Sequence, residues 1–196
     1  LNQLTEQGRV PKVPIFVDSP LAIKLIGVYK KYQNYLTAPM MFNNLPGLKM
    51  TLTTEESKAI NDAPSPKIII AGSGMSHGGR ILHHERRYLP DAKSALLVIG
   101  YQATGSLGRQ LLDGAKAVKI FGEEVAVNCR IINIPGYSAH ADQPQLLNWL
   151  FPQRQVLKRV FIVQGEEMES EALKQKIRDE MAIESEIPQR GKVYQL

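Results

Sequence analysis

Short runs of β-branched residues alternate with glycine-containing loops and helical patterns along most of this chain, and this order limits the fold more than any other feature. Residues 14–17 predict a first buried strand, and residues 20–35 predict a helix after it. Two strand–loop–helix units follow, over residues 67–88 and 95–112. Strands that alternate with helices are typical of parallel, doubly wound sheets, so we predict an α/β fold with a Rossmann-like parallel sheet.

The predicted sheet has one edge at which a ligand is expected. Ligands bind to such sheets at the loops that leave the carboxyl ends of the strands. Asp18 directly follows the first strand, and the loops of residues 72–79 and 100–108 follow two later strands. We therefore expect Asp18 and both loops to share one edge of the sheet.

The pattern changes after Gly122. Residues 125–134 predict one longer strand, and residues 135–141 a turn that leads to a helix capped by Asp142. The remaining predicted elements are a strand over 160–163, a helix over about 170–181 and a closing strand near Val193. We predict two domains, residues 1–124 and residues 125–196.

Charge and composition bound the class of protein. The 196-residue chain carries a net charge of +5, and residues 1–150 hold all of the basic excess. This excess favours a polyanionic partner, although a solvated basic surface explains it equally well. No apolar run reaches the roughly 20 residues of a membrane span, and no signal peptide opens the chain. A single cysteine, Cys129, allows no internal disulfide and fits the cytoplasm.

The loop from Gly72 to Arg80 is the first candidate binding element. Its glycines allow backbone N–H groups to approach a phosphate at the start of a helix. It is no Walker loop, because no Gly-Lys-Ser/Thr follows, and His77 stands where a dinucleotide fingerprint needs its third glycine. A tight turn without a ligand is the alternative.

The loop from Gly100 to Arg109 repeats this logic. It combines hydroxyl groups with the amide of Gln102, an aromatic ring and an arginine. The alternative is a simple helix cap made by Thr104 or Ser106.

Three histidines are candidates for chemistry. His83 and His84 are adjacent on a predicted helix, where they point about 100° apart, so packing or surface exposure is favoured over joint metal binding. The turn at residues 138–142 is no nucleophile elbow, because His140 stands where that pattern needs glycine. His140 is the strongest acid–base candidate in the chain.

Several of these stretches together resemble a known family. Residues 17–22 (Val-Asp-Ser-Pro-Leu-Ala), 73–80 (Ser-Gly-Met, then Gly-Gly-Arg) and 136–142 (Gly-Tyr-Ser-Ala-His-Ala-Asp) occur in this order, with the second glycine loop between the last two. The pattern resembles the β-CASP nucleases of the metallo-β-lactamase fold, in the branch of the cleavage-and-polyadenylation endonuclease and its bacterial and archaeal relatives. The motifs cover nearly the whole chain.

The resemblance implies an architecture. In this family the β-CASP domain is inserted into a metallo-β-lactamase αββα domain, so residues 1–124 correspond to most of the insert and residues 125–196 to the returning C-terminal part. The chain opens at Leu1 inside an amphipathic pattern, which we interpret as a position within the insert. Most metal ligands of the family would then lie upstream.

The resemblance also implies roles for two residues. His140 matches a histidine thought to donate a proton to, or bind, the scissile phosphate. Gln164 of the Val-Gln-Gly-Glu run occupies the position of a histidine that binds the second of two zinc ions in the family. An amide oxygen is a poorer zinc ligand than an imidazole nitrogen, so the second zinc site is in question.

The function implied by the resemblance is hydrolysis of single-stranded RNA by metal-activated water in the full-length protein, with this fragment inactive alone. The alternatives are a non-catalytic RNA-binding homologue and a nucleotide-binding domain, and assembly as a homodimer is left open. The residues expected to bind phosphate or substrate are Asp18, Ser19, Ser73, Gly74, Met75, Gly78, Gly79, Arg80, Gln102, Gly105, Arg109 and Ser138.

Overall fold

The computed structural model describes residues 1–37, 45 and 47–194. It divides into two compact units, Leu1–Tyr137 and Ser138–Leu196. The helices and strands of the first unit are α1 (Asn2–Glu6), β1 (Ile15–Val17), α2 (Pro20–Lys31), β2 (Leu48–Met50), α3 (Thr54–Ala59), β3 (Ile68–Ile70), α4 (Ile81–Tyr88), β4 (Ala95–Ile99), α5 (Leu107–Leu112), β5 (Ala117–Ile120), β6 (Glu123–Ala126) and β7 (Arg130–Ile134).

A three-stranded parallel sheet carries the start of the chain. Its order is β2-β1-β3, with Ile15 aligned with Leu48 on one side and Ile68 on the other. All three residues of the central strand β1 are buried. A run of β-branched and aromatic residues with both faces covered is what a central parallel strand requires. The predicted α/β fold with parallel strands is confirmed.

A second parallel pair joins β4 to β7, and β5 forms an antiparallel hairpin with β6. The hairpin turn at Phe121 and Gly122 has positive φ at both residues, as a tight two-residue turn needs. The prediction of one strand over 125–134 is wrong. The backbone N–H groups of Asn128 and Cys129 both donate to the carbonyl of Leu89, which separates β6 from β7.

One apolar cluster supports this part of the unit. Its buried members are Leu89, Leu111, Val118, Ile120, Val125 and Cys129. They come from α4, α5, the hairpin and the segment before β7. The cluster therefore fixes the helices that follow both glycine loops.

The ends of the helices follow from local sequence. Ser19 caps α2, where Pro20 takes the first position and needs no N–H partner, and Thr53 with Glu56 forms the predicted capping box of α3. The α-helix α2 ends at Lys31 and continues as a 3₁₀ turn over Gln33–Tyr35. Its apolar stripe is exposed, contrary to what an amphipathic pattern indicates, and comprises Leu21, Leu25, Val28 and Tyr32.

The second unit contains α6 (Gln143–Leu150), β8 (Val160–Phe161), α7 (Glu167–Met181) and β9 (Ser185–Glu186), with β8 and β9 parallel. Its buried core consists of Leu147, Leu150, Ile162, Ile177 and Ile183. Asp142 caps α6 as predicted, in a capping box with Gln145. The strand expected near Val193 is absent from the described residues up to 194, and β9 pairs with β8 instead.

The first compact unit extends beyond residue 124. Because β6 pairs with β5 and β7 pairs with β4, residues as far as Ile134 pack with the first unit. Strand pairing does not define where one family domain joins another, so the boundary at residues 124 and 125 stays a prediction. In the part of the chain that the structure describes, no helix is both long and apolar enough to cross a membrane.

Candidate functional site

The carboxyl ends of β1, β2 and β3 meet at one edge of the sheet, as parallel strands require. Asp18 follows β1, Thr51 follows β2 and Gly72 lies two residues after β3. The backbone N–H of Asp18 donates to the carbonyl of Ile70, and that of Thr51 donates to the carbonyl of Val17. The three segments are thus held side by side.

The carboxylate of Asp18 is the centre of this edge. It is completely buried and accepts four hydrogen bonds, from Thr51 Oγ1 (2.6 Å), Ser57 Oγ (2.6 Å), Arg80 Nη1 (2.7 Å) and His84 Nε2 (2.7 Å). Burial alone would raise the pKa of Asp18, but these four bonds outweigh burial and lower the pKa to about 2. Asp18 is therefore ionised over the physiological range.

This geometry shows which partners the polar groups of Asp18 and Arg80 already have. A buried carboxylate with four donors has no surface to offer a phosphate. The guanidinium of Arg80 is also engaged, since Nη1 donates to the carbonyl of Thr51 (2.9 Å) and Nη2 to that of Leu52 (2.7 Å). Both residues brace the edge of the sheet, and neither is presented as a phosphate ligand.

The first glycine loop lies directly against this braced edge. An added Cβ at Gly72 would stand 2.9 Å from Ser19 Oγ, so glycine permits the close approach of the loop to the cap of α2. Inside the loop, Ser73 Oγ accepts from the backbone N–H of His77, and Gly79 has positive φ. Ser19 and the loop are therefore neighbours, as expected.

The second glycine loop is joined to the first by two hydrogen bonds. The buried amide of Gln102 donates from Nε2 to the carbonyl of Gly74 (2.7 Å), and the backbone N–H of Gly108 donates to the carbonyl of Met75 (3.3 Å). A Cβ at Gly108 would stand 1.8 Å from Gln102 Oε1, so glycine is required there. The two loops lie together, as expected, but they follow strands of separate sheets, since β3 belongs to the three-stranded sheet and β4 pairs with β7. Gln102 acts as the tie between the loops.

The remaining residues of the second loop have local partners. Ser106 caps α5 by accepting from the backbone N–H of Arg109, so the helix-cap reading of this loop is correct. The guanidinium of Arg109 donates from Nε to Asp113 (2.9 Å) on the same helix. Gly105 is exposed and has positive φ.

The part of both loops that faces solvent is the candidate binding surface, and we call it the loop surface. It consists of the exposed residues Gly72, Gly74, His77, Gly79, Tyr101, Thr104 and Gly105. Ser73, Met75 and Gly78 lie between them and are half-buried. Backbone amides and hydroxyl groups dominate this surface, and such groups suit an anionic, extended ligand.

The second unit holds the other candidates. His140 is exposed in the turn before α6, where its backbone N–H donates to Ser138 Oγ (3.2 Å). Gln164 is exposed in the loop after β8 and has a φ of 63°, a left-handed conformation that is uncommon for a residue other than glycine. Both side chains stand on loops, where chemistry-bearing residues are commonly found.

Sequence reasoning missed the four partners of Asp18 as a group. The strand β2 that delivers Thr51 has only three residues, and Ser57 looks like an ordinary helix-surface serine. His84 was expected to pack or to lie at the surface, and it is buried with a hydrogen bond to Asp18. Because His84 lies one helical turn after Arg80, the two side chains lie on the same side of the helix. This spacing could have indicated that they share one acceptor.

Comparisons with known proteins identify the class. Residues 1–111, more than half of the chain, match the model of the Beta-Casp domain, and residues 124–188 match the model of the Zn-dependent metallo-hydrolase RNA specificity domain. The chain therefore belongs to the Beta-Casp family, and the resemblance inferred from its motifs is confirmed.

Three relatives give the family its context. The chain is 40% identical over 171 residues to "Ribonuclease TTHA0252" of Thermus thermophilus, which covers 83% of this chain and 39% of that protein. It is 30% identical to "Transcription termination factor FttA" of Thermococcus kodakarensis (94% and 31% covered) and 30% identical to "RNase J-like protein" of Methanocaldococcus jannaschii (98% and 45% covered). The chain spans less than half the length of each of these relatives.

The second matched domain is named for a Zn-dependent metallo-hydrolase, so zinc is the metal of the family. Over residues 1–37, 45 and 47–194, no group of three or more His, Cys, Asp or Glu side chains is placed to hold a metal ion. A hydrolytic zinc site has about three protein ligands and an open position for water. The described residues therefore do not fit a zinc site by themselves.

Proposed function

We propose that this chain is the RNA-binding part of a ribonuclease that hydrolyses phosphodiester bonds, and that its loop surface holds the backbone of single-stranded RNA. The observation that carries the proposal is the joining, by hydrogen bonds, of two glycine loops that each follow a parallel strand in a Beta-Casp chain. Relatives named as ribonucleases support the reaction class. We place this activity in the cytoplasm, in keeping with the single unpaired Cys129.

Each predicted residue has a proposed role within this function. Backbone N–H groups of the first loop and the Ser73 hydroxyl would contact phosphate oxygens, as helix N-termini and glycine loops do elsewhere. Asp18, Arg80 and Gln102 would act indirectly, because their polar atoms already hold the edge and the loops in place. The proposed direct contacts are Ser19, Ser73, Gly74, Met75, Gly78, Gly79, Gly105, Arg109 and Ser138.

Tyr101 offers a test of the loop surface. Its ring is 59% exposed beside the two loops, where an unpaired base can stack on it. We expect Tyr101→Ala to weaken binding of a labelled oligouridine about tenfold, as measured by fluorescence anisotropy, since base–aromatic stacking contributes about 1–3 kcal/mol. For about three phosphate contacts, log K should also fall with log salt at a slope near −2.

The matched control is Tyr35→Ala. Tyr35 is 86% exposed but lies beyond the far end of α2, roughly 18 Å from the loops by helix rise. We expect this variant to bind RNA as the wild type does. Equal losses in both variants, or an affinity that is independent of salt, would contradict an RNA site at the loop surface.

We propose that His140 donates a proton to the leaving oxygen in the longer protein that such a ribonuclease requires. Its exposure on a turn leaves the imidazole accessible to a substrate. Ser138 would orient this turn through its hydrogen bond with the backbone of His140.

Gln164 bears on the two zinc ions that the family resemblance implies. We propose that the amide of Gln164 holds a second zinc weakly, and that Gln164→His raises zinc content in the longer protein because imidazole nitrogen is the stronger ligand. Zinc per chain would be measured by elemental analysis after dialysis, with the exposed Gln153→His as control. Two zinc ions in both wild type and variant would show that Gln164 is a neutral difference. None in either would favour the alternative function, a non-catalytic RNA-binding homologue.

A further inference from the structure

Glu85 on α4 is a buried carboxyl group with a single hydrogen-bond donor. Its side chain is 3% exposed, and Oε1 accepts from Ser76 Oγ at 2.5 Å. Within the described residues, Oε2 has no hydrogen-bond partner. A buried carboxyl normally has a cation or several donors beside it, and Glu85 has the Ser76 hydroxyl in their place.

Ser76 lies in the first glycine loop in a conformation that serine rarely adopts. Its φ is 54°, in the left-handed region, which costs about 1 kcal/mol or more for a residue with a Cβ. Its neighbours Gly74 and Met75 are held by Gln102 and Gly108 of the second loop. The hydrogen bond from Ser76 to Glu85 anchors the same stretch of the loop to α4.

We propose that Glu85 positions the first glycine loop for RNA binding through its hydrogen bond with Ser76, so that the ionised carboxylate holds the loop more firmly than the protonated acid does. This inference rests on the proposed binding of RNA by the loop surface. Glu85 touches no ligand and acts only through Ser76, as a positioning residue. A hydrogen bond to a carboxylate is roughly twice as strong as one between neutral groups, so protonation of Glu85 should weaken its bond with Ser76.

The ionisation of Glu85 falls in an accessible range. Burial raises the pKa of Glu85 to about 7, and the bond from Ser76 offsets only part of that effect. Because the folded pKa lies above the ordinary value of 4.5, the contribution of Glu85 to folding stability is most favourable below about pH 4.5. It is lost progressively as the pH rises towards 7. Loop anchoring should strengthen at higher pH, between about pH 6 and 8, because the carboxyl of the folded protein ionises around its pKa of about 7.

Other titratable groups near Glu85 define the controls. Cys129, before β7, has a pKa raised first by burial and also by the charges of Asp91 and Glu85. On α4 itself, His84 is bonded to Asp18, Arg86 pairs with Glu123, and the Tyr88 hydroxyl is buried. The ammonium group of Lys67 lies over the Tyr88 ring, and His77 is exposed on the glycine loop. Because His77 lies on the same loop, only the difference between wild type and a Glu85 variant isolates Glu85.

The first measurement needs no RNA. Backbone amide NMR signals of residues 73–79 would be followed from pH 5 to 8.5 in the wild type, Glu85→Gln and Ser76→Ala. We expect a wild-type transition near pH 7 that is absent from Glu85→Gln, and a weaker transition at higher pH in Ser76→Ala, because the lost bond no longer lowers the pKa of Glu85. Loop signals that titrate identically in wild type and Glu85→Gln would overturn the proposal.

The second measurement is the affinity for a labelled oligouridine at pH 6 and pH 8. Relative to Glu85→Gln, we expect wild-type affinity to rise roughly threefold to tenfold with pH, as one strengthened hydrogen bond allows. A purely structural Glu85 would give wild type and Glu85→Gln the same dependence of affinity on pH, and that result would overturn positioning. If no variant binds RNA at any pH while the loop signals still follow Glu85, the RNA function fails and the anchoring of the loop stands.

Discussion

Replacing Asp18 with alanine is expected to lower the free energy of unfolding by about 3–5 kcal/mol, the range for removing one partner of a buried ion pair. The change would remove the acceptor of the buried His84 imidazole and of the Ser57 hydroxyl. It would also take one acceptor each from Arg80 and Thr51, which keep their bonds to backbone carbonyls. Urea-induced unfolding followed by circular dichroism would measure the loss.

The control for Asp18→Ala is Asp113→Ala. Asp113 also pairs with an arginine, but its side chain is 61% exposed, so its loss should change stability little. Equal unfolding midpoints for the two variants would show that the Asp18 cluster does not hold the sheet edge together.

Acid should reproduce part of the effect of Asp18→Ala. Because the folded pKa of Asp18 is about 2 against an ordinary value of 3.8, its contribution to stability is complete above about pH 4 and is lost as the pH falls through 2. The shift corresponds to roughly 2 kcal/mol. The wild type should lose this amount between pH 4 and pH 2, and Asp18→Ala should not.

His140→Ala is expected to lower kcat by about 10²–10⁴-fold in the longer protein, with a much smaller effect on RNA affinity. A positioned general acid acts in the transition state, so its removal lowers kcat and kcat/KM together. Single-turnover cleavage of a labelled RNA with zinc present would measure the rate.

His83→Ala provides the matched comparison for His140→Ala. His83 is exposed on α4, where its ring contacts that of Phe121 (centroids 4.7 Å apart), and it belongs to no predicted site, so cleavage should be unaffected. A raised KM with an unchanged kcat in His140→Ala would instead identify His140 as a ground-state phosphate contact.

Much of the fold could be predicted because its signals are local. Three successive apolar residues at 15–17 predict a central strand, and Ser19, Thr53 and Asp142 each cap the helix that follows them. The proximity of the glycine loops was expected from one shared parallel sheet. The loops instead follow strands of two sheets and are joined by Gln102 and Gly108.

The unpredicted parts depend on distant partners. The strand β2 has three residues including Lys49, and it exists because Leu48 and Met50 align with Ile15 and Val17. The stretch 125–134 contains enough β-branched residues for one strand, but the carbonyl of Leu89 captures two of its N–H groups. Local preference cannot reveal such competition for hydrogen bonds.

The same reason limits prediction of the site. The sequence places Asp18 correctly at the edge of the sheet, but it does not predict that the carboxylate is buried. That burial depends on Thr51 and Ser57, which lie 33 and 39 positions later in the chain. Glu85 had no sequence signal, because a glutamate on a helix is normally solvated. Its role becomes visible only in the fold, which places the Ser76 hydroxyl beside it.

The ties between the two glycine loops have a consequence for the entropy of ligand binding. Gln102 and Gly108 order the backbone at Gly74 and Met75 when the chain folds, so those residues have little conformational freedom left to lose when a ligand arrives. An extended polymer loses much of its own freedom on binding, and a receptor that is already ordered adds little to that cost. The conformational entropy lost on binding at such a surface then comes mainly from the ligand, so a stiffer ligand loses less of it.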